Sequence, residues 1–101
     1  MPGKGEWEVR PGWTFLSNHG HVLVVLGRDP QARVRDVAAR VGLTERAVLL
    51  IIADLEREGI VERIREGRRN RYVLHLEAPL RHPLEQHRTV RELLEMVEGG
   101  G

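Results

Sequence analysis

The stretch TERAVLLIIADLEREGIVERIREGRRNRYVLHL, residues 44–76, changes its period midway, and that change decides the fold. Up to Gly59 the pattern is helical. Thr44 is placed to cap the helix, its hydroxyl accepting from an unpaired backbone N–H of the first turn. Gly59 stands where a left-handed residue closes the last turn. At about 100° per residue, Ala47, Val48, Ile51, Ile52 and Leu55 gather on one side as a core face. Glu45, Arg46, Leu49, Leu50, Ala53, Glu56 and Arg57 fall on the other, so Leu49 and Leu50 point away from the core. After Gly59 the period becomes two. IVERIRE, residues 60–66, sets Ile60 and Ile64 apart from Arg63 and Arg65, and RYVLHL, residues 71–76, puts Tyr72, Leu74 and Leu76 on one face. Between them GRRN, residues 67–70, offers Gly67 and Asn70 for positive φ, which makes a β-hairpin with a basic tip.

Upstream, ARVRDVAARVGLT, residues 32–44, holds Val34, Val37, Ala38 and Val41 at i, i+3, i+4 and i+7. Gly42 breaks that short helix, Leu43 returns to the core, and Thr44 starts the next: a helix-turn-helix. Before it, SNHGHVLVVLGRDP, residues 17–30, reads as a helix capped by Ser17 or Asn18 and ended by Gly27 with Pro30. Leu16, Val22, Leu23 and Leu26 form its inward stripe. Gly20 inside it costs about 1 kcal/mol relative to alanine, or permits close helix packing. Downstream, Pro79 and Pro83 mark a connection, with Pro83 suited to a first helical turn. Val90, Leu93, Leu94 and Val97 then make an apolar stripe that must fold back or pair. A hairpin directly after the second helix of the pair distinguishes a winged helix from a plain three-helix domain. The expected fold is mainly α with a β-hairpin wing, in the order α-α-α-β-β-α. Its expected divisions are an arm over 1–13, a winged helix-turn-helix over 14–78 and a dimerising C-terminal helix over 79–98.

The 101 residues suffice for one domain. There is no cysteine, which excludes disulfides and thiolate chemistry. No apolar run reaches the roughly 18 residues of a membrane span. The start, MPGKGEWEVRPGW, lacks the apolar block of a signal peptide, so a cytoplasmic location is expected. Sixteen Lys and Arg against fifteen Asp and Glu leave a net charge of +1, which excludes a grossly basic coat protein but not local segregation of charge. Such segregation is visible from Arg63 to Arg71, where Arg63, Arg65, Arg68, Arg69 and Arg71 face a single acid, Glu66. No G-x-S-x-G, H-E-x-x-H or phosphate loop is present, so hydrolytic catalysis has no support and no enzyme is expected. His82 and His87, with Glu85 between them, are weighed as metal ligands. Pro83 interrupts them and no cysteine or Asp-x-His pair assists, so neither metal nor cofactor is expected.

These elements together point to double-stranded DNA. A recognition helix reads the major groove with its N-terminal residues, which offers Thr44, Glu45, Arg46, Leu49 and Leu50 to base edges. The fork of Arg46 matches the O6 and N7 acceptors of guanine. Thr44 and Arg35, near the two helix starts, are placed to position phosphates. Arg68, Arg69, Asn70 and Arg71 on the hairpin tip reach phosphates or a minor groove. The plain alternative is that these arginines form only a solvated face.

Residues 14–95, and most specifically RDVAARVGLTERAV and LEREGIVERIREGRRNRYVLH, resemble the small bacterial winged helix-turn-helix transcriptional regulators of the MarR/ArsR-like kind. The resemblance implies a homodimer, operator binding by the helix at 44–58, and wing contacts from Arg68, Arg69 and Arg71. Terminal helices dimerise such proteins, which assigns Val90, Leu93, Leu94 and Val97 to the interface. Trp7, Trp13 and Phe15 are expected to join them, with packing inside one chain as the alternative. The sequence departs from that family at Leu49 and Leu50, whose positions there are usually polar. Three explanations stand open: apolar contact with thymine methyls, cover by the N-terminal arm or a partner subunit, or loss of DNA reading in a protein-interaction module. The sequence names no operator and no small-molecule effector.

Overall fold

Ser17 starts the first helix. Its hydroxyl accepts from the Gly20 N–H at 3.2 Å, and α1 runs Asn18–Arg28. The computed structural model describes residues 11–99, so Trp7 lies outside the described residues. Contrary to the expectation from sequence, Gly27 does not end α1. The helix passes through it to Arg28 and stops at Asp29, just ahead of Pro30. A Cβ at Gly27 would lie in ordinary van der Waals contact with Leu94 Cδ1 at 3.4 Å and Leu74 Cδ2 at 3.5 Å, so the last turn of α1 lies beside both side chains. The atoms nearest a Cβ at Gly20 belong to Leu16, one turn earlier in the chain.

Helix α2 spans Val34–Val41, and α3 spans Glu45–Arg57. Between them Gly42 sits at φ 86°, with its N–H donating to the Ala38 carbonyl at 2.8 Å. L-residues reach that left-handed region only at a steric cost. Gly42→Ala is therefore expected to destabilise the fold by about 1–2 kcal/mol, read as a lower denaturant midpoint. An unchanged midpoint would contradict the strained turn. Thr44 caps α3 as its sequence suggests, Oγ1 accepting from the Ala47 N–H at 3.1 Å. Gly59 at φ 73° closes it. Val48, Ile51, Ile52 and Leu55 are buried and Ala47 is half-buried, as the helical spacing requires.

Strands β1, Val61–Glu66, and β2, Arg69–Leu74, pair antiparallel from Val61↔Leu74 to Glu66↔Arg69. The tip is tighter than expected. Only Gly67, at φ 61°, and Arg68 lie between the strands, and among the described residues no non-glycine has positive φ. Asn70 belongs to β2, opposite Arg65, and not to the turn. Residues directly opposite share a face. Val61, Arg63 and Arg65 therefore share theirs with Leu74, Tyr72 and Asn70, and the burial of Val61 and Tyr72 makes it the inner face. Ile64 lies outward with Val73, Arg71 and Arg69, so it does not join Ile60 inside. The inner wing is sewn to the helices where the Tyr72 N–H donates to the Pro30 carbonyl at 2.9 Å.

The C-terminal part corrects a second expectation. Pro83 lies in a turn, not a helix, and α4 begins only at Val90 and ends at Glu98. The stronger start signal is Thr89 with Glu92, a complete capping box that satisfies two backbone donors reciprocally. The Arg88 guanidinium, hydrogen-bonded to Glu92, holds that carboxyl below its ordinary range, aided by the Thr89 N–H. Pro79 bridges to Thr89 and returns the chain to the body. The apolar stripe of α4 folds back: Val90 is fully buried, and Leu93 and Leu94 pack against the core. Leu26, Ile52, Val22, Val37 and Val48 fill the centre. Among the described residues no helix is long and apolar enough to cross a membrane.

Candidate nucleic-acid interface

The helix-turn-helix exposes its polar side at two helix starts. Arg33 holds the N-cap position of α2 and makes no side-chain cap bond, and Arg35 follows in the first turn. Thr44, Glu45 and Arg46 lie exposed at the start of α3, with the Thr44 hydroxyl engaged in the cap. Along the same face, Leu49 is 48% and Leu50 60% exposed, and Ala53 is exposed one turn further on.

The wing arginines differ in what they touch. Arg68 stands in the turn with no hydrogen bond or ion pair among the described residues. Arg69 donates through Nη2 to the Gln31 carbonyl, which ties the hairpin to the segment just before α2. Arg65 folds its Nε onto the Gly67 carbonyl at 2.8 Å. Arg71 Nε lies 3.2 Å from Glu66 Oε1 across the strands, and that carboxylate offsets its charge. Asn70 is half-buried in its strand.

Charge is sorted along the chain. Arg28, Arg57, Arg63, Arg71, Arg81, Arg88 and Arg91 each pair with a carboxylate. Among the described residues Arg33, Arg35, Arg40, Arg46, Arg65, Arg68 and Arg69 have no carboxylate within 4.0 Å. All of them belong to the helix-turn-helix and the wing. Arg33 and Arg40 were not singled out by sequence reasoning, although the first helix of the pair sets Arg33, Arg35 and Arg40 against Asp36 alone. Asp36 and Glu45, in the first turns of α2 and α3, also lack an ion pair among the described residues, and the other end of α3 carries Asp54, Glu56 and Glu58. There His19 Nε2 lies 2.9 Å from Asp54 Oδ2, and Arg57 meets the other oxygen. The hydrogen bond with His19, with help from Arg57, holds the Asp54 carboxyl below its usual range. That stabilisation is present above the unfolded carboxyl pKa and is lost as acidification passes the lowered one.

The expected dimer residues divide in the same way. Val90 is sealed inside its own chain and presents no surface to a second copy. Leu93, Leu94 and Val97 are half-buried. Trp13 is 78% and Phe15 93% exposed, and their rings meet edge-on at 4.9 Å. Leu84 and Met96 are also exposed and were not picked out from sequence. A cleft of about 940 Å³, bordered by Leu16, His19, Leu23, Asp54, Leu80 and Leu93, opens at the end of α3 remote from Thr44.

Residues 17–62 match the family model described as winged helix-turn-helix DNA-binding. No curated protein matches the chain. Among solved structures, the PcaV transcriptional regulator of Streptomyces coelicolor is 31% identical, over 57% of this chain and 45% of that one, at a TM-score of 0.50. MepR, a transcription regulator of the Staphylococcus aureus multidrug efflux pump MepA, is 21% identical over 80% of this chain and 53% of that one. Its TM-score is 0.53, a likeness of fold. The chain thus spans about half the length of the regulators it matches. Three helices, a hairpin and a final helix make this a winged helix-turn-helix, and the match over residues 17–62 is what makes it similar to winged helix-turn-helix DNA-binding domains.

Proposed function

We propose that the chain acts as a homodimeric, sequence-specific regulator of transcription that reads an operator in double-stranded DNA. The observation that carries this reading is the sorting of the ion pairs. Among the described residues of this chain of net charge +1, the arginines without a carboxylate partner lie at α2, the start of α3 and the wing, and every other arginine has one. A surface of that kind is matched to a polyanion. In this reading Arg46 is the base reader, since it projects from the first turn of α3 and its fork suits guanine. Arg33, Arg35 and Arg68 hold phosphates, and Arg69 both braces the wing and faces the backbone of the duplex. Two copies would meet through Trp13 and Phe15 together with the outer edges of Leu93, Leu94 and Val97. A two-fold protein suits a palindromic site. PcaV and MepR are themselves regulators of transcription, which supports the assignment.

The test is duplex binding against salt concentration, with sedimentation equilibrium for the oligomer. A reader of several phosphates loses affinity steeply as salt rises. Arg46→Ala is expected to flatten the preference between selected and random duplexes by about 1–3 kcal/mol while weakening random duplexes little. A second reading, a protein-interaction module, rests on the exposure of Leu49 and Leu50. Binding with no salt dependence and no discrimination would favour it over the operator reading.

A further inference from the structure

The outward face of α3 carries an apolar strip where a groove reader needs contacts with base edges. Arg46, Leu49, Leu50 and Ala53 lie at i, i+3, i+4 and i+7 and so share one side of the helix. Leu49 and Leu50 are about half exposed, and nothing in the chain covers them among the described residues. The arginines without carboxylate partners say what does. They lie on the flanking elements, α2 and the wing, and on α3 itself through Arg46. Such a surface repels a second basic copy and attracts a polyanion. In the major groove the only apolar group on a base edge is the C5-methyl of thymine.

Resting on the DNA reading above, we infer that Leu49 and Leu50 are specificity residues that pack on thymine methyls, beside a guanine held by Arg46. Four residues of helix advance about 6 Å, close to two base-pair steps. The favoured site therefore holds a guanine with thymines within about two base pairs.

The probe is a pair of random duplex pools, one built with thymine and one with uracil, which lacks only the C5-methyl. The pools are barcoded, mixed equally and recovered on the whole protein at low salt. The thymine pool is expected to be enriched about fourfold for each methyl contacted. The Leu49→Ala, Leu50→Ala double variant is expected to bring the ratio to one while still retaining DNA. A ratio of one for the parent protein, with both pools retained in a salt-dependent manner, overturns the methyl reading and leaves DNA binding standing. A ratio that persists in the double variant removes the leucines from it. Retention of neither pool removes the DNA reading as well.

Discussion

Arg33→Ala, Arg35→Ala and Arg68→Ala together are expected to lower affinity for duplex DNA roughly a thousandfold at 50 mM salt, with little change in stability. Each phosphate contact contributes about 0.9 to the slope of log affinity against log salt, which is roughly tenfold at 50 mM. The three side chains come from the start of α2 and the tip of the wing, and among the described residues none is tied to a carboxylate. Their removal therefore takes away attraction for the polyanion without breaking contacts that hold the fold. The slope itself should fall by about 2.7. A matched control, Arg57→Ala, Arg81→Ala and Arg88→Ala, removes the same formal charge from arginines already paired with Asp54, Glu58 and Glu92. That control is expected to keep most of the affinity. Equal losses in the two triple variants would mean that net charge alone governs binding and that the sorting of ion pairs carries no function.

Leu26→Ala is expected to cost about 3 kcal/mol of folding stability. Leu26 lies in α1 and is fully buried in a core that draws on the other helices and on the wing's inner face. Deleting its terminal atoms loses their transfer free energy and leaves a cavity that close-packed neighbours fill only in part. For a domain of this size each kcal/mol moves the melting temperature by about 4–8 °C, so the midpoint should drop by roughly 12–24 °C. Against a typical total of about 5–15 kcal/mol, that is a large share of the stability. Thermal unfolding of the parent and the variant measures it directly. A loss below about 1 kcal/mol would show that α1 does not anchor the core at this point.

Local signals were legible along the chain. The caps at Ser17 and Thr44, the left-handed glycines at 42 and 59, the buried side of α3 and the existence of the hairpin all follow from residues within one or two turns of each other. Hydroxyl reach, φ preference and side-chain period act over that range, so sequence alone decides them. The outward placement of Leu49 and Leu50 belongs to the same class, because it is geometry within a single helix.

Other features needed the folded chain. Gly27 resembles a helix stop, yet α1 runs through it to Arg28, beside Leu94 and Leu74 from distant segments. Asn70 resembles a turn residue, but a register that begins at Val61↔Leu74 draws it into β2. Pro83 resembles a helix start, but Thr89 and Glu92 form the better cap, and Val90 finds its place in the core only from there. Above all, which arginines lie beside a carboxylate is set in part by contacts such as Arg28 with Glu98, 70 positions apart. Composition counts these charges and spacing assigns them to elements. Near neighbours in the chain neutralise Arg57 and Arg88, but Arg28, Arg81 and Arg91 find their carboxylates on remote segments, because electrostatic attraction depends on distance in space and not on distance along the chain.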